Sequence, residues 1–230
     1  MAAERNETGE RALGPWSADP YRYGVVLGLI LGSLTFQLAA PEQDWARLVT
    51  IVLQGITLLA VLRVSRVHRW IMRTATMVVA VAIVSSTGAL IGFGELGPTA
   101  ARIVSVSLAA LAPVAIARGV VTSVRSQGIT VHTMFGVLCI YLLLGSLFAF
   151  VYGIAGDIES GSFFAQHAAT SQRNFLYFSF VTITTVGYGD LTAATDLGRS
   201  LAITEALIGQ IYLVTVVAAI VGGLGRARRA

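Results

Sequence analysis

Residues 185–190 read Thr-Val-Gly-Tyr-Gly-Asp, a short segment in which two glycines alternate with larger residues. Glycine tolerates backbone angles that other residues avoid, so Gly187 and Gly189 allow successive carbonyl oxygens to turn toward the same side. A row of backbone carbonyls can replace the water around a cation, and the hydroxyl of Thr185 can add a further oxygen. The segment therefore predicts a cation-binding site formed by the main-chain oxygens of residues 185–189.

The side chains around this segment are expected to support the oxygens rather than to bind the cation. We expect Val186 and Tyr188 to point away from the row of carbonyls and to pack against a surrounding helix, which holds the oxygens apart. Asp190 closes the segment, and its carboxylate can accept hydrogen bonds from neighbouring supports. Thr184 precedes the segment and belongs to the same support.

The composition indicates that the chain lies in a membrane. Its 230 residues are 55% hydrophobic and 12% charged, whereas soluble domains are about a quarter charged. Six apolar stretches each approach the about 20 residues that a helix needs to cross the hydrocarbon core. These stretches are 23–40, 45–64, 74–93, 101–121, 131–153 and 199–223. An all-α membrane protein with six transmembrane helices is predicted.

A seventh apolar stretch, 174–186, is too short to span and leads directly into the glycine-containing segment. Irregular backbone at membrane depth is tolerated only where protein surrounds it. The pattern predicts a re-entrant pore helix at roughly 173–184, followed by the loop. The chain then divides into a polar cytoplasmic tail (1–22), a four-helix peripheral domain (23–128) and a pore module (129–230).

The arginines predict how the chain is oriented. They occupy the joint between the second and third stretches, the joint between the fourth and fifth, and the C-terminal tail: Arg63, Arg66, Arg69, Arg73, Arg118, Arg125, Arg226, Arg228 and Arg229. The opposite joints contain Arg47 and Arg102 at helix ends and five acidic residues: Glu42, Asp44, Glu95, Asp157 and Glu159. The positive-inside rule then predicts a multi-pass protein of the cell membrane with both termini in the cytoplasm.

Residues 182–190 resemble the signature of the potassium-channel superfamily, and the stretch 130–225 resembles the helix–pore loop–helix module of its prokaryotic members. The resemblance implies a homotetramer with four filter loops around one axis. It also implies K⁺ as the transported ion, with binding sites at Thr185, Val186, Gly187 and Tyr188. Relatives that also pass sodium tend to lose the tyrosine, so Tyr188 favours potassium selectivity.

The same resemblance assigns supporting roles beside the filter. Tyr177 and Phe178 stand where family members place aromatic residues that surround the filter. Some relatives have a glutamate four residues before the filter threonine that pairs with the filter aspartate. This chain has Val181 there, so the partner of Asp190 is left open.

Two residues of the last apolar stretch suggest further roles. Gly209 resembles the hinge glycine of the family's inner helices, and close packing against the pore helix is an equal alternative. Glu205 is a carboxyl group inside a predicted span, where ionisable residues are costly. It is expected to lie level with the pore helix and either to hydrogen-bond a threonine or serine there or to be protonated, as structural glue or as a proton sensor.

Six spans with a filter before the last also match the arrangement of voltage-gated channels. A voltage sensor needs charges in its fourth span, but the fourth stretch has no charged residue between Arg102 and Arg118. Weak voltage sensitivity is therefore expected. Arg63, Arg66 and Arg69 recur at every third position, but they follow the second stretch. They are interpreted as a cytoplasmic anchor, with a sensing or lipid-headgroup role as the alternative. Residues 118–128 are predicted to form an interfacial helix.

The remaining function classes are less compatible with the sequence. No paired carboxylates, metal-ligand spacing or nucleophilic triad suggests an enzyme, and no cofactor other than the transported K⁺ is expected. The basic residues lie at the ends of apolar stretches, which opposes nucleic-acid binding. A voltage-gated potassium channel and a non-conducting accessory subunit of a potassium transport system remain as alternatives.

Overall fold

A computed structural model describes residues 22–41, 43–65, 69–90, 111–121, 131–159 and 161–227. The predicted tail before Arg22 lies outside these residues, as do 91–110 of the third and fourth stretches and 122–128 of the predicted interfacial helix.

The described residues form seven helical segments. They are α1 (Arg22–Ala39), α2 (Asp44–Val64), α3 (Arg69–Leu90), α4 (111–121), α5 (Val131–Ile158), α6 (Gln172–Ile183) and α7 (Asp196–Ala227). No β-strand occurs in this part of the chain, where a single antiparallel bridge joins Phe164 to Ala193. The protein is therefore all-helical over the residues described.

The helices extend beyond several of the predicted apolar limits. α3 begins at Arg69 rather than at 74, α5 ends at Ile158 rather than at 153, and α7 runs over Asp196–Ala227 rather than 199–223. Hydropathy detects only the part of a helix that is apolar, whereas backbone hydrogen bonds continue through polar turns at its ends.

One helix of the described residues is long and apolar enough to cross a membrane by length and composition, Thr133–Ile158, with a mean hydropathy of 2.4. Shorter apolar helical segments lie at Tyr23–Ala39, Leu48–Val64, Met72–Val81 and Leu111–Val121. The number of six spans therefore stays a prediction.

α5 is the central element of the packing. It contacts α1, α6 and α7, while α2 contacts both α1 and α3. The buried side chains on these contacts are mostly aliphatic, including Val26, Ile30 and Leu62. Because α5 joins the two groups of helices, it places the peripheral helices beside the short helix α6.

A cluster of aromatic rings fixes α6 against α5. Tyr152 of α5 lies 5.0 Å from Phe178 of α6 between ring centroids, and Phe163 of the connecting segment lies 5.2 Å from Phe175 of α6. Phe164 completes the cluster, and all five side chains are buried. Aromatic pairs of this kind each add about 0.5–1.5 kcal/mol beyond their buried area. The cluster therefore holds α6 firmly where its C-terminal end meets residues 185–190.

Candidate functional site

α6 is capped at its start by a side chain. The hydroxyl of Ser171 accepts a hydrogen bond from the backbone N–H of Asn174 at 3.3 Å. Serine satisfies one of the unpaired N–H groups at a helix start without extending the helix. α6 thus begins near the position predicted for the pore helix and ends one residue earlier than predicted.

The C-terminal end of α6 turns directly into residues 185–190. The N–H of Thr185 donates to the carbonyl of Thr182 at 2.9 Å, and the N–H of Val186 donates to the carbonyl of Val181 at 3.0 Å. These two bonds form a Schellman motif, whose residue after the cap is left-handed and is usually glycine. Here that residue is Thr185, with φ of 58°. A β-branched residue in this region is an outlier.

Left-handed backbone recurs at every second residue of the segment. Gly187 has φ of 55° and Gly189 has φ of 78°, following Thr185. The N–H of Gly187 also donates to the carbonyl of Val181, at 3.2 Å. Alternation of left-handed and ordinary backbone is a geometry that lets neighbouring carbonyls face one side. The two glycines therefore occupy positions where the backbone requires them.

The segment is exposed in the single chain. Every residue from Thr184 to Asp190 is exposed, including 51% of Val186 and 72% of Tyr188. A contiguous exposed surface that includes large apolar side chains is a candidate contact surface. Within the chain, Thr184 is held by its own helix, because its hydroxyl donates to the carbonyl of Phe180 at 2.5 Å.

Asp190 is held by Tyr177. The phenol of Tyr177 donates to Oδ2 of Asp190 at 2.7 Å, which supplies the partner that Val181 cannot provide. The hydrogen bond to the carboxylate raises the pKa of the Tyr177 phenol, since ionisation removes the donated proton and places two negative charges together. The phenol therefore stays a donor at neutral pH and ties the outer end of the segment to α6.

Phe178 faces a different environment from its neighbour Tyr177. Its ring is buried in the aromatic cluster, 5.7 Å from Phe164 between centroids. It therefore packs α6 onto α5 and the connecting segment. The resemblance gives both aromatic residues the same role, but their contacts differ. Tyr177 contacts the outer end of the segment, whereas Phe178 contacts the interior of the subunit.

α7 approaches the end of α6 at Gly209. A Cβ added to Gly209 would stand 2.5 Å from Cγ1 of Ile183 and 2.9 Å from its carbonyl oxygen. The same carbonyl accepts a hydrogen bond from the phenol of Tyr141 on α5, at 2.8 Å. The close approach gives a packing reason for glycine at 209, and the hinge role stays a prediction.

Glu205 stands four residues before Gly209, on the same face of α7. It is 0% exposed, and its carboxyl group contacts the phenol of Tyr152 at 2.5 Å and the hydroxyl of Ser179. The Ser179 hydroxyl also lies 2.6 Å from the carbonyl oxygen of Gly145. One carboxyl group therefore meets polar groups of α5 and α6 at the junction of three helices.

Residues 136–224 match a family model described as an ion channel. The matched range covers most of α5, all of α6 and the segment 185–190, and most of α7. The match supports an ion-channel domain, and hence a membrane location, for this part of the chain. No curated protein and no solved structure matches the chain.

Several contacts of the ion-channel domain were not anticipated from the sequence. The sequence indicates a threonine or serine of the pore helix as a partner of Glu205 without identifying Ser179. It assigns neither Tyr152 to Glu205 nor Tyr141 to the end of α6. A tyrosine or serine inside an apolar stretch is a usable signal, because a buried hydroxyl needs a partner. The partner itself lies far along the chain, and only the packing of the helices identifies it.

Proposed function

We propose that this chain is one subunit of a potassium-selective channel that conducts K⁺ passively across the cell membrane. The observation that carries the proposal is the left-handed backbone at alternate residues of a Thr-Val-Gly-Tyr-Gly-Asp segment. The segment follows a short helix and lies between α5 and α7, within the range that matches an ion channel.

Potassium is favoured by the chemistry of the segment. The main-chain oxygens of residues 185–189 supply neutral ligands that can replace the hydration shell of the ion. K⁺ would bind at Thr185, Val186, Gly187 and Tyr188, with the Thr185 hydroxyl at the inner end. Tyr177 supports the filter by holding Asp190.

The apolar side chains that are exposed in the single chain favour a homotetramer. Each chain has one such segment and so provides one wall of a pore. Val186 and Tyr188 are exposed, and α7 carries an exposed apolar row: Ile203, Leu207, Ile211 and Val214. Neighbouring subunits and lipid would cover these surfaces.

The peripheral helices are proposed to lack a strong voltage sensor. Arg118 is the sole charged residue of α4 as described, residues 111–121. Arg63 at the end of α2 and Arg73 in the first turns of α3 are exposed beside one joint. This placement suits a cytoplasmic anchor in a multi-pass protein.

The proposal is tested by ion efflux from liposomes that contain the purified protein. We expect rapid K⁺ efflux, little Na⁺ efflux and no efflux with Gly187→Asp, which puts a side chain and a charge into the filter backbone. Gly28→Ala is the control, since Gly28 lies in α1 with open space around it. Equal Na⁺ and K⁺ efflux would refute selectivity, and no efflux from intact tetramers under any applied voltage would refute conduction.

A further inference from the structure

Glu205 occupies a site where an ionised carboxylate is hard to keep. Its side chain is fully buried, and its hydrogen-bonding partners are the neutral groups of Ser179 and Tyr152. No arginine pairs with it in the part of the chain that the structure describes. A buried carboxylate without a cation is so costly that it generally takes up a proton instead.

The oxygen contacts allow the protons to be counted. Three oxygen pairs lie at hydrogen-bonding distance: Tyr152 with Glu205 at 2.5 Å, Ser179 with Gly145 at 2.6 Å, and Ser179 with Glu205. Each hydrogen bond needs one hydrogen. The phenol supplies one, the Ser179 hydroxyl supplies one, and the Gly145 carbonyl supplies none. The third hydrogen has one remaining source, the carboxyl group itself.

We propose that Glu205 is a neutral carboxylic acid whose proton completes a hydrogen-bond relay joining α5, α6 and α7. The carboxyl proton is donated to Ser179, the Ser179 proton is donated to Gly145, and the Tyr152 proton is donated to the second carboxyl oxygen. Glu205 is thus a positioning residue. We refer to these four residues as the three-helix relay.

The relay lies where it can set the position of the filter. Gly209, one turn further along α7, contacts Ile183 at the end of α6, directly before Thr184 and Thr185. Ser179 stands one turn earlier on the same short helix. A proton on Glu205 therefore fixes α7 against α6 immediately behind the filter, and loss of that proton removes a donor and introduces an unpaired charge.

Few other titratable groups face this site. From α5, these are the phenols of Tyr152 and of Tyr141, which is close enough to feel the charge of Glu205. From α6, the Ser179 hydroxyl contacts Glu205 but does not titrate in this pH range. On α7, Asp196 and Arg199 pair with each other at the exposed start of the helix. A change at Glu205 with pH is therefore distinguishable from changes elsewhere.

The direct test is infrared difference spectroscopy of the purified tetramer, wild type minus Glu205→Gln, at neutral pH. We expect the carbonyl stretching band of a protonated carboxyl group, shifted in deuterium oxide. The two bands of a carboxylate in its place would overturn the proposal, and would mean that Ser179 shares one proton between two oxygens. This measurement does not depend on conduction, so its outcome is separate from the test of the proposed function.

A second test compares the K⁺ efflux of two variants of Glu205, which separates hydrogen bonding from packing. The amide of Glu205→Gln can donate to Ser179 and accept from Tyr152, so we expect K⁺ efflux within about twofold of wild type. Glu205→Leu removes both functions, and a loss of at least about tenfold is expected. Equal behaviour of the Gln and Leu variants would contradict the relay.

A pH profile separates the proton from the shape of the side chain. The midpoint of thermal unfolding of the wild type should fall as the pH rises above about 4.3, where the glutamate of the unfolded chain ionises. The fall should end at the pH at which Glu205 ionises in the folded protein, because only between these two values does the folded state hold the extra proton. Glu205→Gln should lack this fall. The comparison is limited to pH values below about 9, where phenols are protonated, so that Tyr152 and Tyr141 do not contribute to the difference. Parallel profiles of the two proteins would overturn the proposal.

Discussion

The helices are held together differently in the two halves of the molecule, the peripheral helices α1–α3 and the ion-channel domain. In the peripheral helices, α1, α2 and α3 bury mainly aliphatic side chains against one another, and the amide of Gln54 donates to Gln37 between α2 and α1. In the ion-channel domain, hydroxyl groups cross from helix to helix and end on backbone carbonyls or on Glu205. In lipid, helices associate by close packing and polar bonds rather than by exclusion of water.

This difference indicates which half needs a defined geometry. A bond from Tyr141 to the carbonyl of Ile183, or from Tyr212 to that of Val137, fixes both distance and direction. Aliphatic contacts tolerate small rotations. The domain that contains residues 185–189 is therefore held by directional hydrogen bonds, whereas aliphatic contacts allow small rotations of the peripheral helices. Four substitutions test this contrast, in order of expected effect.

The largest effect is expected from Gly187→Ala. An added Cβ would meet no atom within 4 Å in the single chain, but φ of 55° is unfavourable for alanine by about 1–2 kcal/mol. In the proposed tetramer the cost recurs in every subunit, so K⁺ efflux should fall at least about tenfold.

Gly28→Ala is the matched control for that substitution. Gly28 also has open space around it, and it lies within the helix α1. Efflux should be unchanged, since alanine is favourable in a helix. If both alanine variants conducted like the wild type, the left-handed backbone at 187 would have no functional importance.

The second-largest effect is expected from Gly209→Ala. The new Cβ would press on Ile183, including its backbone oxygen, and overpacking of this kind costs about 1–3 kcal/mol. The midpoint of thermal unfolding of the protein should fall. Gly222→Ala on the same helix has open space and should leave the midpoint unchanged.

A double variant separates packing from bending at Gly209. Ile183→Ala provides room for the added methyl group, so it should recover part of the stability that Gly209→Ala loses. If Gly209 serves only as a hinge, the second substitution will not restore either stability or efflux.

A smaller effect is expected from Tyr177→Phe, which removes the donor to Asp190 and keeps the ring. The outer end of the filter should loosen, and K⁺ efflux should fall several-fold. An ultraviolet titration of wild type minus variant should show a phenol that ionises above the pH of free tyrosine, because the carboxylate raises the pKa of Tyr177. A difference spectrum with an ordinary tyrosine titration would contradict the bond.

The smallest effect is expected in the peripheral helices. Gln54→Leu removes the 3.2 Å bond to Gln37, while Gln37 keeps its hydrogen bond to Ser33. Interhelical bonds in membranes average about 0.6 kcal/mol. The thermal midpoint should change slightly and efflux should stay at the wild-type rate. A loss as large as that of Gly209→Ala would remove the contrast between the two halves.

The sequence predicted the elements better than it predicted their contacts. Apolar stretches predicted most of the helices because the solubility of a side chain in lipid depends on its own type. The turn after α6 was located from Gly187 and Gly189, whose freedom is likewise a local property. Thr185 was not expected in the left-handed region, because its residue type opposes it and the two hydrogen bonds of the helix end impose it.

Contacts between distant residues could not be predicted in the same way. Glu205 was recognised as a buried polar group, but Tyr152 and Ser179 stand 53 and 26 residues away. Likewise, Val181 left Asp190 without an assigned partner until the fold placed Tyr177 beside it. Such pairs depend on how helices rotate against one another, which hydropathy and residue type leave undetermined.

The central claim, selective conduction of K⁺, is tested most directly by the reversal potential in a planar bilayer with K⁺ on one side and Na⁺ on the other. A potassium-selective filter at residues 185–189 predicts a reversal potential close to that of K⁺, and currents that vanish with Gly187→Asp. A reversal potential near zero at equal concentrations would contradict the account, because the pore would then pass both ions alike.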